Sequence, residues 1–92
     1  MKDVAIAILK SMPEEKRKEI ERKLLDLIAR EPHKQKMYYI CKLSKNQNMD
    51  DILRFLLVKF KRRGYLEEIK DGQKRRYRIT PRGLKYLASI RG

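Results

Sequence analysis

Cysteine, histidine and long apolar runs are scarce in this chain, and each scarcity removes a class of function. One cysteine, Cys41, excludes an intrachain disulfide and any multi-cysteine zinc site. The one histidine, His33, follows Pro32 in a connector and reads as solvated; with a single distant cysteine it cannot build a metal site, so no metal or cofactor is expected. The longest apolar run, residues 4–9, is too short to span a bilayer. It could pass for the core of a signal peptide, but no small-residue cleavage site follows and the next segment is highly charged. A cytoplasmic chain without a membrane partner is the expectation. There is no glycine-rich phosphate loop and no nucleophile–base pair at persuasive spacing, so an enzyme is not expected.

Acids are also outnumbered: 25 Lys and Arg face 12 Asp and Glu, giving a net charge of +13 over 92 residues, enough for one domain with a single modest core. Such a surplus calls for a polyanionic partner, unless the 40% charged residues simply make a soluble surface. Placement decides. Residues 54–85 carry twelve cations and three acids, whereas residues 1–30 carry eight and six. The excess is concentrated in one unit, as a binding footprint would be.

The periodicities give a mainly α chain with a small β-hairpin. Residues 1–12 hold an ambiguous element: Val4, Ile6 and Ile8 alternate like a strand, while the alanines and Leu9 suit a helix, which is preferred. Ser11 and Glu14 fit a capping box that opens a helix over 13–30, with Ile20, Leu24, Leu25, Leu27 and Ile28 as its apolar face and Glu31-Pro32 as its end. Its charged first half is either a solvated turn or a projection toward a partner chain, with Met12 and Ile20 as contacts. Met37, Ile40 and Cys41 have the spacing of a short helix over 35–43, with Cys41 as a small buried residue rather than a redox sensor or intersubunit disulfide.

Asn48 suits the N-cap of a helix over 48–63, with Asp50 and Asp51 in its first turn. Met49, Ile52, Leu53, Leu56, Leu57, Phe60 and the stem of Arg63 fall on one side of that helix. Asp51, Arg54, Phe55, Val58 and Arg62 fall on the other, which is read as exposed. After Gly64, the segment 65–79 reads as a hairpin turning at Asp71-Gly72. That turn sets Lys70 opposite Gln73, Glu68 opposite Arg75, Glu67 opposite Arg76 and Leu66 opposite Tyr77. Thr80-Pro81 then starts a helix over 81–90, with Leu84, Leu87 and Ile90 inward.

Helix–turn–helix, then Gly64-Tyr65-Leu66, the strand end Tyr77-x-Ile79-Thr80 and the helix start Pro81-Arg82-Gly83-Leu84, resembles the winged helix-turn-helix regulators. The likeness is to the MarR-like and PadR-like groups and to small regulators of archaea and their viruses, and it covers about residues 20–88. It implies that the helix over 48–63 lies in a DNA major groove, that the hairpin is a wing over the adjacent minor groove or backbone, and that the protein is a homodimer joined through its terminal helices. The long flanking helices of the larger MarR-like proteins are missing, so the resemblance does not extend to their ligand pocket and implies no particular effector.

On this reading Lys45, Arg62, Lys74, Arg75, Arg76 and Arg78 supply phosphate contacts, which carry affinity without sequence choice. Gln47 or Asn48 can pair with adenine, Arg54 with guanine, and Phe55 and Val58 with thymine methyls. Asp50 and Asp51 either accept from cytosine amines or serve only the helix start, the simpler reading. Val4, Ile6, Ile8, Leu9, Leu84 and Leu87 are the candidate dimer surface. The five tyrosines are core and rim residues unless they stack on single-stranded bases. The leading expectation is a sequence-specific regulator of double-stranded DNA. A sequence-tolerant architectural protein, or a winged helix used for protein assembly through Phe55 and Val58, are the alternatives.

Overall fold

Residues 2–91 are described by a computed structural model, with side chains described from Ile6 onward. In chain order the elements are α1 (Lys2–Ser11), α2 (Glu14–Arg30), β1 (Lys34–Gln35), α3 (Lys36–Leu43), α4 (Gln47–Arg62), β2 (Leu66–Asp71), β3 (Lys74–Ile79) and α5 (Pro81–Arg91). The result is a mainly helical fold with one small antiparallel sheet in the order β1-β3-β2.

The N-terminal ambiguity resolves as helix. Ser11 is the last residue of α1, and its hydroxyl donates back to Ile8 O at 3.0 Å. It is therefore not available for the capping box with Glu14. Pro13 occupies the cap of α2 without a side-chain hydrogen bond, and its carbonyl accepts from the amides of Lys16 and Arg17. In α2, Leu24, Leu25, Leu27 and Ile28 are buried as the apolar spacing implies. Its charged first half is neither wholly solvated nor free, because Glu21 is buried and accepts a hydrogen bond from Tyr86 of α5. The Lys59 ammonium of α4 lies 3.7 Å from the same carboxylate.

Helix α3 presents a different side from the one its i, i+3, i+4 pattern suggests. Tyr39 and Ile40 are buried, whereas Met37 is 45% exposed and Cys41 is exposed, so the expected burial of Cys41 is corrected. The reason is Tyr39. Its fully buried ring displaces the Met37–Cys41 ridge outward, and its hydroxyl donates to Glu31 O at 2.7 Å while accepting the Lys34 amide at 3.1 Å. Helix α4 buries Ile52, Leu53, Leu56, Leu57 and Phe60, the face its periodicity marks. Its cap is Asn46, two residues before the expected Asn48: the Asn46 carboxamide accepts from Met49 N–H at 2.9 Å.

The hairpin also departs from expectation. Asp71 pairs with Lys74, Lys70 with Arg75, Glu68 with Tyr77, Glu67 with Arg78 and Leu66 with Ile79. The turn is thus Gly72-Gln73 rather than Asp71-Gly72. An Asp-Gly turn of type I′ needs positive φ at both central residues, but of these residues only Gly72 has it, at +66°. Moving the turn by one residue slides every partner by two, so each side chain keeps its face. The third strand, β1, was absent from the sequence reading. His33, in the left-handed region at φ 67°, turns the chain so that its amide donates to Tyr77 O at 2.8 Å and Lys34 pairs with Tyr77.

Where the hairpin meets α5, Thr80 joins three segments. Its hydroxyl donates to Gly64 O at 2.6 Å and accepts the Gly83 amide at 3.0 Å, while its own amide donates to Tyr65 O at 3.0 Å. Gly83 is needed because a Cβ there would lie 2.2 Å from Tyr65 O and 2.7 Å from Ile79 Cγ1. Gly83→Ala is expected to cost about 3 kcal/mol through overpacking against rigid backbone. Gly72→Ala meets no atom within 4 Å and should cost only about 1 kcal/mol, for its left-handed φ. Urea midpoints would check this; equal losses would contradict the close-approach explanation.

Candidate functional site

The outward side of α4 and the β2–β3 hairpin are brought together by one carboxylate. Arg54 and Lys61 are seven residues apart, about two turns, and so share a stripe along α4. The Lys61 ammonium donates to Glu68 Oε1 at 3.1 Å, the Tyr77 hydroxyl donates to Glu68 Oε2 at 3.0 Å, and the Arg75 guanidinium lies 3.5 Å from Oε1. Glu68 is only 11% exposed at its side chain. Burial works to raise its carboxyl, but hydrogen bonds from Lys61 and Tyr77, with the charges of Lys61 and Arg75, outweigh this and hold it below the usual range. The Tyr77 phenol is correspondingly pushed up to about 12, by burial first and by the Glu68 hydrogen bond second. The Arg54 stripe and the Arg75 end of the hairpin are therefore linked through Lys61 and Glu68.

Along α4, Gln47, Asn48, Arg54, Val58 and Arg62 are exposed, as is Lys45 in the preceding turn. Asp51 and Phe55, expected on the exposed side, are half-buried. Phe55 packs against the core, and Ile6 of α1 joins it, Val58, Asp51, Arg54, Lys59 and Arg62 in lining a groove of about 410 Å³. The two first-turn acids are engaged locally: Asp50 accepts from the Ser44 hydroxyl, and Asp51 accepts from Gln47 Nε2 at 3.3 Å. Arg54 makes no ion pair among the described residues; one of its terminal nitrogens lies 3.4 Å from the Met37 sulfur.

Every arginine of the hairpin has a carboxylate partner. Arg75 faces Glu68, Arg76 lies 3.2 Å from Asp71, and Arg78 lies 2.8 Å from Glu67. Arg76 also donates to His33 O at 2.9 Å, so His33, although exposed, buttresses the hairpin. Five cations and three acids on the strands and turn leave Lys70 and Lys74 unpaired among the described residues. Those two flank the turn, so the uncompensated charge of the hairpin sits at its tip. From the sequence, Glu68 and Lys70 stand out only as hairpin partners and Lys61 not at all. The alternation of Leu66, Glu68, Tyr77 and Ile79 on one face is the signal that could have marked Glu68.

The expected dimer residues are divided. Leu9 and Leu87 are buried in the chain's own core, Ile6 and Ile8 are half-buried, and Leu84 is 50% exposed. The Val4 side chain lies outside the described residues. Among the described residues no helix is long and apolar enough to cross a membrane, and no group of three or more His, Cys, Asp or Glu is placed to hold a metal ion.

Comparison with family models, curated proteins and solved structures finds no match for the chain. Its reading therefore rests on geometry.

Replacing Glu68 by Ala strands the Tyr77 hydroxyl and removes the anchor of Lys61, so stability should fall by about 2 kcal/mol. The hairpin amides should exchange faster in the variant, and amides at the centre of α4 should accelerate only as far as the global loss of stability allows. Because the Glu68 carboxyl is held low in the folded chain, its contribution is present above the ordinary carboxylate range and is lost as pH falls through its folded value. Amide exchange with unchanged hairpin protection in Glu68→Ala would refute the clamp.

Proposed function

We propose that the chain is a double-stranded-DNA-binding regulator of the winged helix-turn-helix kind, acting as a homodimer. Helix α4 enters the major groove, and the β2–β3 hairpin lies over the adjacent backbone or minor groove. The observation that carries this reading is the Lys61–Glu68–Arg75 connection, which aligns the stripe bearing Arg54 with the basic hairpin. A duplex offers two such targets side by side: base edges on the groove floor and phosphates along its wall.

Arg54, exposed and without a carboxylate partner among the described residues, is the residue for a bidentate contact to guanine. Gln47 and Asn48 sit at the start of α4 for adenine, and Val58, 47% exposed, meets a thymine methyl. Asp51 orients Gln47 rather than reading cytosine. Lys45, Arg62, Lys70 and Lys74 bind phosphate first. Arg76 and Arg78 follow by exchanging carboxylates for phosphates, an exchange that costs little because exposed ion pairs are each worth about 1 kcal/mol or less. Arg75 can turn to phosphate because Glu68 keeps Lys61 and Tyr77. With about eight phosphate contacts in a dimer, log K falls with log[salt] at a slope of about −7. Leu84 and the α1 surface supply the dimer contact, and the site of action is intracellular.

A second reading, sequence-tolerant coating of DNA, is favoured by cations away from α4 and the hairpin that make no ion pair among the described residues, Arg82 and Lys85 for example. Competition separates the two: a coating protein is displaced equally by any duplex, whereas a regulator resists random sequence. On the leading reading Arg54→Ala relaxes base preference, and Lys74→Ala, which removes one phosphate contact from each protomer, weakens all sequences alike and flattens the salt slope by about 2. Glu67→Gln releases Arg78 and should tighten binding by a few-fold. Identical behaviour of the Arg54 and Lys74 variants in a random-pool selection would remove α4 from the recognition role.

A further inference from the structure

Not all of the surplus charge belongs to the α4–hairpin side. Arg63 stands nine residues after Arg54, which on a helix is about two and a half turns, so the two side chains leave α4 in opposite directions. Arg63 is exposed at the C-cap of α4, immediately before Gly64. Arg82, in the first turn of α5, lies across Gly64: its Cδ and a terminal nitrogen come within 3.7 and 3.8 Å of where a Cβ on that glycine would stand. Lys85 follows one turn along the same side of α5, and both Arg82 and Lys85 are exposed. None of the three has a carboxylate partner among the described residues, in contrast to the hairpin arginines and to Arg30 and Arg91 beside Asp26.

We propose that Arg63, Arg82 and Lys85 form a second phosphate-binding surface, directed away from the first, through which one chain holds a second segment of duplex. The inference rests on the DNA-binding reading and adds bridging to it. A helix lodged in a groove about 12 Å wide presents one side to the bases and its flanks to the phosphate walls. A cation on its back points out of that groove and away from that duplex. What it meets is another polyanion, and three unneutralised cations in one patch are suited to a line of phosphates. The pairing matters here: on the hairpin each arginine must exchange a carboxylate for a phosphate, but at this corner the nearby acid, Glu21, is already engaged by Tyr86 and Lys59.

The test uses the full chain, one random-sequence duplex fixed to beads and a second, labelled random-sequence duplex in solution. The wild-type protein should retain the labelled duplex on the beads. The triple variant Arg63→Gln, Arg82→Gln, Lys85→Gln should retain about tenfold less or lower still, because three phosphate contacts are gone. Its affinity for a single short duplex should stay within about twofold of wild type. Unchanged thermal unfolding by circular dichroism shows that the variant is folded. Undiminished retention would overturn the proposal, and is the result expected if a dimer bridges through two copies of the first surface. A matching loss of single-duplex affinity would also overturn it, by assigning the three residues to the first footprint. A wild-type chain that binds no duplex at all would instead remove the DNA-binding reading on which both surfaces rest.

Discussion

A phenol hydroxyl with no access to solvent sits where three segments of this chain meet. Tyr39 donates to the carbonyl of Glu31 at the end of α2, accepts from the amide of Lys34 in β1, and lies 3.4 Å from the carbonyl of Tyr77 in β3. A buried hydroxyl must find such partners or cost the folded state its full desolvation penalty. Burial also raises its pKa, so the group stays a donor. The direction in which α2 ends, the placement of the two-residue strand β1 and the seat of α3 are all fixed around this one oxygen. Because α3 and the sheet are so placed, α4 can lie across them with its apolar side inward and Arg54 outward.

The same economy appears at three other junctions. Glu21 accepts from Tyr86 and faces Lys59, Glu31 accepts from Tyr38 and faces Lys42, and Glu68 accepts from Tyr77 and faces Lys61. Each carboxylate ties its own element to another, and each is satisfied by one neutral donor and at least one cation. In a chain with about twice as many cations as acids, these three carboxylates each find a counter-charge. The tyrosine hydroxyl supplies what excess charge cannot, a directional donor that fixes geometry. Placed at these joints, three of the twelve acids hold the helices and the hairpin in register. Others pair with hairpin arginines and leave the net charge at the tip, on α4 and at the α4–α5 corner.

Much of this was legible in advance. The apolar period of α4 identified its five buried residues, and Gly64, Thr80-Pro81 and Gly83 marked the joints around the hairpin. Those features depend on local periods and turn chemistry, which sequence carries directly. The errors came where two local signals competed. Asp71-Gly72 and Gly72-Gln73 are both acceptable turns, and only the pairing of Leu66 with Ile79 and of Glu68 with Tyr77 selects the second. Asn46 and Asn48 are equally good caps, and the Ser44–Asp50 contact accompanies the first. Cys41 and Tyr39 competed for the inner side of α3, and Tyr39 had partners waiting in distant segments.

The sequence by itself determined where charge and apolar surface lie along the chain, and hence that helices precede a basic hairpin. Those are properties of composition and period, and no contact between distant residues is needed to establish them. Tertiary structure decided which cations remain unneutralised, because that depends on which carboxylates come within reach of them. It decided equally that Phe55 is partly covered while Arg54 is open, since α1 folds back beside α4 and lines the groove next to Phe55. Coverage is a relation between segments remote in sequence, and even the short-range pair of Lys61 with Glu68 depends on how the hairpin folds back on α4.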